Sequence, residues 1–290
     1  MRKTAASGLG QARHLVAAGF GAADYAQIDP RKAQAALPEL ARTGLILPRV
    51  VGGSSLDLWA AQQESIVIPY DIAPRLDLSP GWDAVAARRS GRTWSGFRRK
   101  AKRLKARGPV EIIHVTDSDH VQEWLPDVFR LYEARASVVR RRGVWKSKRG
   151  QLFLASWMKG LADEGALDLA ILSVDGRAEA FTFVIADPDV HYLYALAFDP
   201  SSPVARDSPG EQLLVEAMKS AAGEGALHFD FLVGDESYKR AWATEFRPVS
   251  TRVVGGSPTS RRLISAPFAV RQALRNRLAN QRETAAKVRK

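Results

Sequence analysis

Three apolar runs between Asp168 and Phe198 constrain this chain more than any other stretch of it. Asp168–Val174, Ala178–Ile185 and His191–Phe198 show the alternation of half-buried strands, and Asp175-Gly176 and Asp187-Pro188-Asp189 stand between them. An Asp-Gly pair between such runs is a two-residue hairpin signal, because both central positions of that turn need positive φ. The spacing therefore predicts an antiparallel meander over 168–198.

Elements flank the meander on both sides. Residues 1–14 read as a flexible start, residues 30–43 as a helix begun by Pro30 and ended by Gly44, and 45–51 as a short strand. A helical turn is predicted at 59–63, a strand at 65–69, and a linker at Pro74, Pro80 and Gly81. A basic helical stretch follows over 83–107, interrupted near Ser95-Gly96, and then a strand at 110–115. Ser118 or Asp119 caps a helix whose apolar face is Val121, Trp124, Leu125, Val128, Leu131 and Tyr132. Further helices are expected at 151–162, 209–222 and 237–246, and strands at 227–233 and 249–254. No internal repeat is visible.

Composition narrows the chemistry. The chain has 290 residues, 46% of them hydrophobic, which suits a globular core. It has no cysteine, which removes disulfides, thiolate nucleophiles and cysteine metal sites. The five histidines are scattered without ligand spacing, so no metal centre is expected. The early apolar run from Leu15 to Ala23 is short, and no stretch is long enough to span a bilayer, which reads as a cytoplasmic protein. Of 43 Lys/Arg and 31 Asp/Glu, residues 88–107, 135–149 and 256–290 together hold 26 and 1, leaving 17 and 30 elsewhere. An acidic body with three basic segments fits a polyanionic partner, whether cofactor phosphates, RNA or an anionic membrane, or else solvated helix faces.

Two motifs follow strand ends. Ser208-Pro209-Gly210-Glu211 has Ser at the N-cap, Pro at the first helical position and Glu at the third, the pattern of a capping box. Amides at such a helix start attract a pyrophosphate; Gly210 would admit the anion and Arg206 would supply counter-charge. A plain cap is the alternative. Gly234-Asp235-Glu236-Ser237-Tyr238-Lys239 opens the next helix. Asp235 or Glu236 could act as base and Tyr238 as acid in transfer to an amine, with Lys239 binding an anionic group. The alternative is a cap at Asp235, Tyr238 and Trp242 packing inward, and Lys239 facing solvent. Asp230, a mid-strand carboxylate between Phe229 and Phe231, is a further catalytic candidate because it needs a partner or a purpose.

Together these motifs, "SPG" at 208–210 and "DFLVGDESYK" at 230–239, resemble the CelD-like branch of the GNAT acyltransferase superfamily, over roughly residues 82–256. The resemblance implies an α/β fold with a mixed sheet, a GNAT-like core at 82–256 preceded by a partial GNAT-like segment at 1–80, and a basic tail at 257–290. It implies acetyl-CoA or another acyl-CoA as cosubstrate, held by Arg206, Ser208, Pro209, Gly210 and Gly234. It also implies an amine or amino-sugar acceptor, with a role in envelope or exopolysaccharide metabolism. The departure is that Arg206 and Gly210 are out of register with the superfamily's usual Gln/Arg-x-x-Gly-x-Gly/Ala.

Several assignments remain open at this level. Tyr192 and Tyr194 share a strand face and line a substrate cleft or complete the core. His191 reads as a base or an exposed strand-start residue. Arg140-Arg141-Arg142-Gly143-Val144-Trp145 reads as a loop whose Arg142 and Trp145 contact substrate. The basic helix at 88–107 reads as a family feature rather than a dedicated nucleic-acid site. The tail, with Leu263, Ile264, Phe268, Leu274 and Leu278 among arginines, either lies on an anionic membrane or docks on the protein. Two other functions stand beside acyl-CoA-dependent N-acyl transfer: a Fem-type transferase using aminoacyl-tRNA, and a non-catalytic GNAT-like scaffold.

Overall fold

The computed structural model describes residues 15–16, 44–139, 144–270 and 272–273. The helix expected at 30–43, the start at 1–14 and Arg142 lie outside the described residues. The chain forms two compact units: residues 1–74, 233–237 and 246–290 in one, residues 75–232 and 238–245 in the other.

In the first unit, strand β1 (Leu15–Val16) runs parallel to β2 (Leu45–Val51). Strand β2 is antiparallel to β9 (Glu245–Val254), with Leu45 opposite Val254 and Val51 opposite Val249. Helix α1 (Ser55–Ala61) is capped by Ser54, whose side chain accepts from the Asp57 amide, and Arg252 on β9 pairs with the Asp57 carboxylate. Strand β3 (Ser65–Asp77) is far longer than the five residues expected. Pro74, read as the start of a linker, lies inside it. Residues 258–270 form a last helix, α8, whose first turn is capped by the Ser257 hydroxyl accepting from the Ser260 amide.

The second unit holds the meander. Strands β4 (Val110–Val115), β5 (Leu167–Val174), β6 (Arg177–Ala186) and β7 (Val190–Phe198) pair antiparallel in succession. The hairpin between β5 and β6 has Asp175 at φ 52° and Gly176 at φ 75°, the left-handed pair that the sequence predicts. Strand β8 (His228–Asp230) adds parallel to β7, and Arg75–Asp77 of β3 add antiparallel to β8. The mixed α/β class is as expected.

Helices cover both faces of this sheet. Helix α4 (Ser118–Val139) and helix α5 (Lys148–Asp163) bury Val121, Leu125, Val128, Leu131, Leu154 and Met158 against Leu169, Ile171, Phe181 and Phe183. On the opposite face, helix α6 (Pro209–Gly223) packs Leu214, Val215 and Met218 with Val184, Leu193 and Phe229. Because both faces are covered, every residue of β5 is buried.

Helices α2 (Trp82–Ala87) and α3 (Gly91–Lys105) carry the first basic segment. The break falls at 88–90, not at Ser95-Gly96, since Ser90 caps α3 by accepting from the Thr93 amide. Trp94, Phe97 and Leu104 on α3 face the core, which leaves its cations outside. Helix α7 (Ser237–Trp242) stops four residues before its expected end, and Phe246 lies in β9. Trp242 on α7 stacks on Trp82 at 6.2 Å, with the Arg89 guanidinium 4.7 Å from its ring. Among the described residues no helix is long and apolar enough to cross a membrane. Nor, among them, is any group of three or more His, Cys, Asp or Glu arranged to hold a metal ion.

Candidate active site

Strands β7 and β8 meet for three residues only. Val190 lies opposite His228, His191 opposite Phe229 and Tyr192 opposite Asp230; β7 then continues to Phe198 while β8 ends. The expected strand over 227–233 is cut short because Leu232 adopts φ 56°, a left-handed conformation that a leucine rarely takes. The buried Asp230 carboxylate supports that break, accepting the Leu232 amide at 2.9 Å. A bond from a side chain to the amide two residues on is the usual aspartate turn. Asp230 thus shapes the point at which the two strands part, a structural role beside any chemical one.

A second irregularity lies on β7 itself. Phe183 is opposite Ala195 and Val184 is opposite Leu193, so the register steps by one residue at Tyr194. This is a β-bulge, which re-aims backbone and side chain. It turns Tyr194 toward the α4/α5 face, where its ring sits 4.8 Å from Trp157 and 5.0 Å from Phe183. Tyr192 lies opposite Ile185, on the same face, so the expected sharing of a face holds.

The loop after β7 ends in a 3-10 turn (Ala205–Asp207) and enters α6 through Ser208. Ser208 is at φ 53° and its side chain makes no capping bond, so the capping box read from the sequence is not formed. The backbone does the capping instead: the Glu211 and Gln212 amides donate to the Ser208 carbonyl, and the Ser208 amide donates to Ala205. Pro209 has no amide hydrogen, which leaves Gly210 as the amide to meet an anion. Gly210 itself is buried, and a Cβ there would meet Leu196 Cδ2 at 3.1 Å and Phe198 Cδ1 at 3.3 Å. Its lack of a side chain lets α6 lie close on β7. Arg206 is exposed beside this turn.

The basic helix α3 and the residues just after it brace the same turn. Arg103 and Arg107 donate to the two oxygens of Asp207, at 2.5 and 3.0 Å, and Lys100 reaches Glu211 at 2.6 Å. Burial pushes the Asp207 carboxyl up, but the hydrogen bonds and charges of the two arginines outweigh it, holding the group below its ordinary value. The sequence singles out Glu211 as part of a capping box but none of these pairings. The available signal was the pairing of an acid-free basic stretch with the acids at 207 and 211.

Other expected site residues fall differently. Trp145, read as a mobile substrate contact, is buried, stacked on Tyr132 at 4.3 Å with Phe129 and Phe181 around it. Its loop position is overridden by an aromatic pocket ready to take the indole. His191 is buried rather than exposed, 3.7 Å from Glu224, and burial lowers its pKa. Tyr238 is 37% exposed while Lys239 is buried, the reverse of a simple helix cap with the tyrosine inside. Gly234 and Asp235 belong to the first unit, where the Gly234 amide donates to Ile72 at 3.0 Å. Asp230, Tyr192, Tyr194, Arg206, Ser208, Pro209, Gly210, Tyr238 and Lys239 belong to the second.

No curated protein sequence resembles the chain closely enough to count as a match. Solved structures share its fold. FemX matches with a TM-score of 0.58 at 11% identity, over 88% of this chain and 82% of FemX. The C-terminal domain (DUF2156) of a proposed lysylphosphatidylglycerol synthetase of Agrobacterium fabrum matches with a TM-score of 0.53 at 15% identity, over 82% and 75% of the two chains. A conserved protein of unknown function from Bacteroides thetaiotaomicron matches with a TM-score of 0.52 at 15% identity, over 77% and 74%. The family model described as acetyltransferase (GNAT) domain matches residues 91–240, which run from α3 to α7 and take in the bulge, the parting strands and the braced turn. The chain belongs to the GNAT acetyltransferase domain family.

Proposed function

We propose that the protein is an N-acyltransferase that moves an acyl group from an acyl-CoA thioester, acetyl-CoA in the simplest case, to the amine of a small acceptor. A C–N bond forms as the C–S bond breaks; a base takes the ammonium proton and an acid protonates the departing thiolate. One observation carries this reading: β7 is bulged at Tyr194 and outruns its parallel partner β8 beyond Tyr192. A strand edge that outlives its neighbour can pair with an extended ligand rich in amides, such as a pantetheine arm. The buried turn at Ser208–Gly210 and the exposed Arg206 would lie toward the phosphates. Tyr238 is the proposed acid. Asp230 and Lys239 would position groups, and Tyr192 and Tyr194 would line the acceptor side. An amino sugar acceptor, with cytoplasmic work in envelope or exopolysaccharide metabolism as in CelD-like proteins, is the corresponding biological reading.

Titration calorimetry with acetyl-CoA and longer acyl-CoAs, joined to thiol release with a panel of amines, tests the proposal. Saturable binding and amine-dependent thiol release are expected, with Arg206→Ala weakening binding and Tyr238→Phe lowering kcat at little change in KM.

A second reading has its own support. The start of α6 carries two carboxylates of the chain itself, Asp207 and Glu211, each already neutralised by cations of α3 and the turn after it. That arrangement is less hospitable to a pyrophosphate than a bare helix start. A Fem-type transfer from aminoacyl-tRNA needs no pyrophosphate there. Absence of binding to every acyl-CoA, with aminoacyl transfer from charged tRNA, would establish that reading, and absence of both would leave a binding scaffold.

A further inference from the structure

Helix α8 carries apolar residues on its exposed face as well as on its inner one. Its inner face is held: Arg261 is buried, donates to Glu64 at 2.6 Å and to the Gly256 carbonyl at 2.8 Å, and Ser265 is buried one turn on. Ile264 and Phe268 are half-buried beside them. The outer face carries Leu263, Ala266, Pro267 and Val270, at spacings of three and four that place them in one stripe. All four are exposed, Leu263 by 71% and Val270 by 59%. A helix normally turns such a stripe inward. Here the stripe faces solvent although the helix is anchored, so its exposure is a property of the docked helix.

Arg262 is exposed on the flank of the stripe. In the sequence, residues 256–290 hold nine Lys/Arg against Glu283 alone. An exposed apolar stripe with Arg262 beside it, on a segment almost free of acids, suits an anionic bilayer: the apolar stripe enters the boundary of headgroups and acyl chains while the guanidinium meets lipid phosphate. A second copy of the chain fits less well. Two such segments would bring like charges together, and four short side chains cover little of the roughly 1,200 Å² that a stable protein interface needs.

We propose that the outer face of α8 is a lipid-docking surface that seats the protein peripherally on an anionic membrane. Leu263 and Val270 are its inserting residues and Arg262 its nearest phosphate contact. The proposal is independent of the transfer chemistry assigned to the other unit.

Flotation of the full-length protein with vesicles tests it. Binding is expected to vesicles of mixed phosphatidylglycerol and phosphatidylcholine, weakened by added salt, and not to pure phosphatidylcholine. Leu263→Glu with Val270→Glu should weaken binding about tenfold or more with an unchanged melting temperature, since both side chains already face water. Arg262→Glu should weaken it to a lesser degree. If the double glutamate variant binds anionic vesicles as well as the parent does, charge alone is responsible and the proposal falls. It also falls if light scattering finds a dimer in solution that the double variant converts to monomer, because the stripe is then an interface between copies.

Discussion

Arg103 donates its Nε hydrogen to the Asp207 carboxylate across 2.5 Å, joining residues 104 positions apart, and Arg107 bonds the other oxygen of the same group. The carboxylate is almost wholly buried, and both arginines are half exposed. A basic helix that would pass for a nucleic-acid surface is in this way the brace of the turn that enters α6.

Removing that brace should destabilise the fold. Arg103→Ala is expected to cost about 1–3 kcal/mol, because Arg107 remains and solvent screens the exposed side of the pair. The pH dependence has a definite sign. The folded Asp207 carboxyl lies below its ordinary value, so its contribution is fully present above the unfolded pKa and is lost as pH falls through the folded one. Acid melting of the Arg103→Ala, Arg107→Ala double variant should therefore begin at higher pH than that of the parent. Coincident acid transitions would show that the pairs contribute nothing.

Gly210 is set by packing as much as by any ligand. A Cβ at this position would stand 3.1 Å from Leu196 and 3.3 Å from Phe198. Gly210→Val should force α6 away from β7 and destabilise by roughly 1–3 kcal/mol, with the smaller Gly210→Ala less affected. Chemical denaturation measures this directly. A valine variant as stable as the parent would show that packing does not require the glycine.

Trp145 should behave as a core residue. Trp145→Ala removes a ring stacked on Tyr132 and flanked by Phe129 and Phe181, and a loss of about 3–5 kcal/mol is expected. A loop tryptophan that only touched substrate would change stability by less than about 0.5 kcal/mol. Urea midpoints of the variant and parent separate the two.

His114 on β4 bonds Asp168 on β5 at 3.2 Å, and this hydrogen bond raises the imidazole pKa above its ordinary value. A raised pKa stabilises the fold below the unfolded pKa, and the contribution is lost as pH rises through the folded one. Titration of the His114 ring signals by NMR should show a pKa that falls back in Asp168→Asn. An unchanged titration would mean that the bond does not persist in solution.

Much of this fold is legible locally. The meander over 168–198 and the Asp175-Gly176 turn follow from alternation and from the φ that the turn demands, and the apolar face of α4 follows from helical spacing. Those properties belong to neighbours in sequence. The early end of β8 is partly local too, since Asp230 holds the amide two residues away, but nothing in the run 227–233 announces that the carboxylate will be used so. The site's finer arrangement was not legible. Ser208 loses its capping role, Trp145 leaves the surface, and Lys239 rather than Tyr238 is buried. Apolar periodicity and turn chemistry act over a few residues and write the elements into the sequence by themselves. The state of a single polar or aromatic side chain depends on which groups meet it after the chain has folded, as Asp207 meets Arg103 and Trp145 meets Tyr132, and only the tertiary structure brings those groups together.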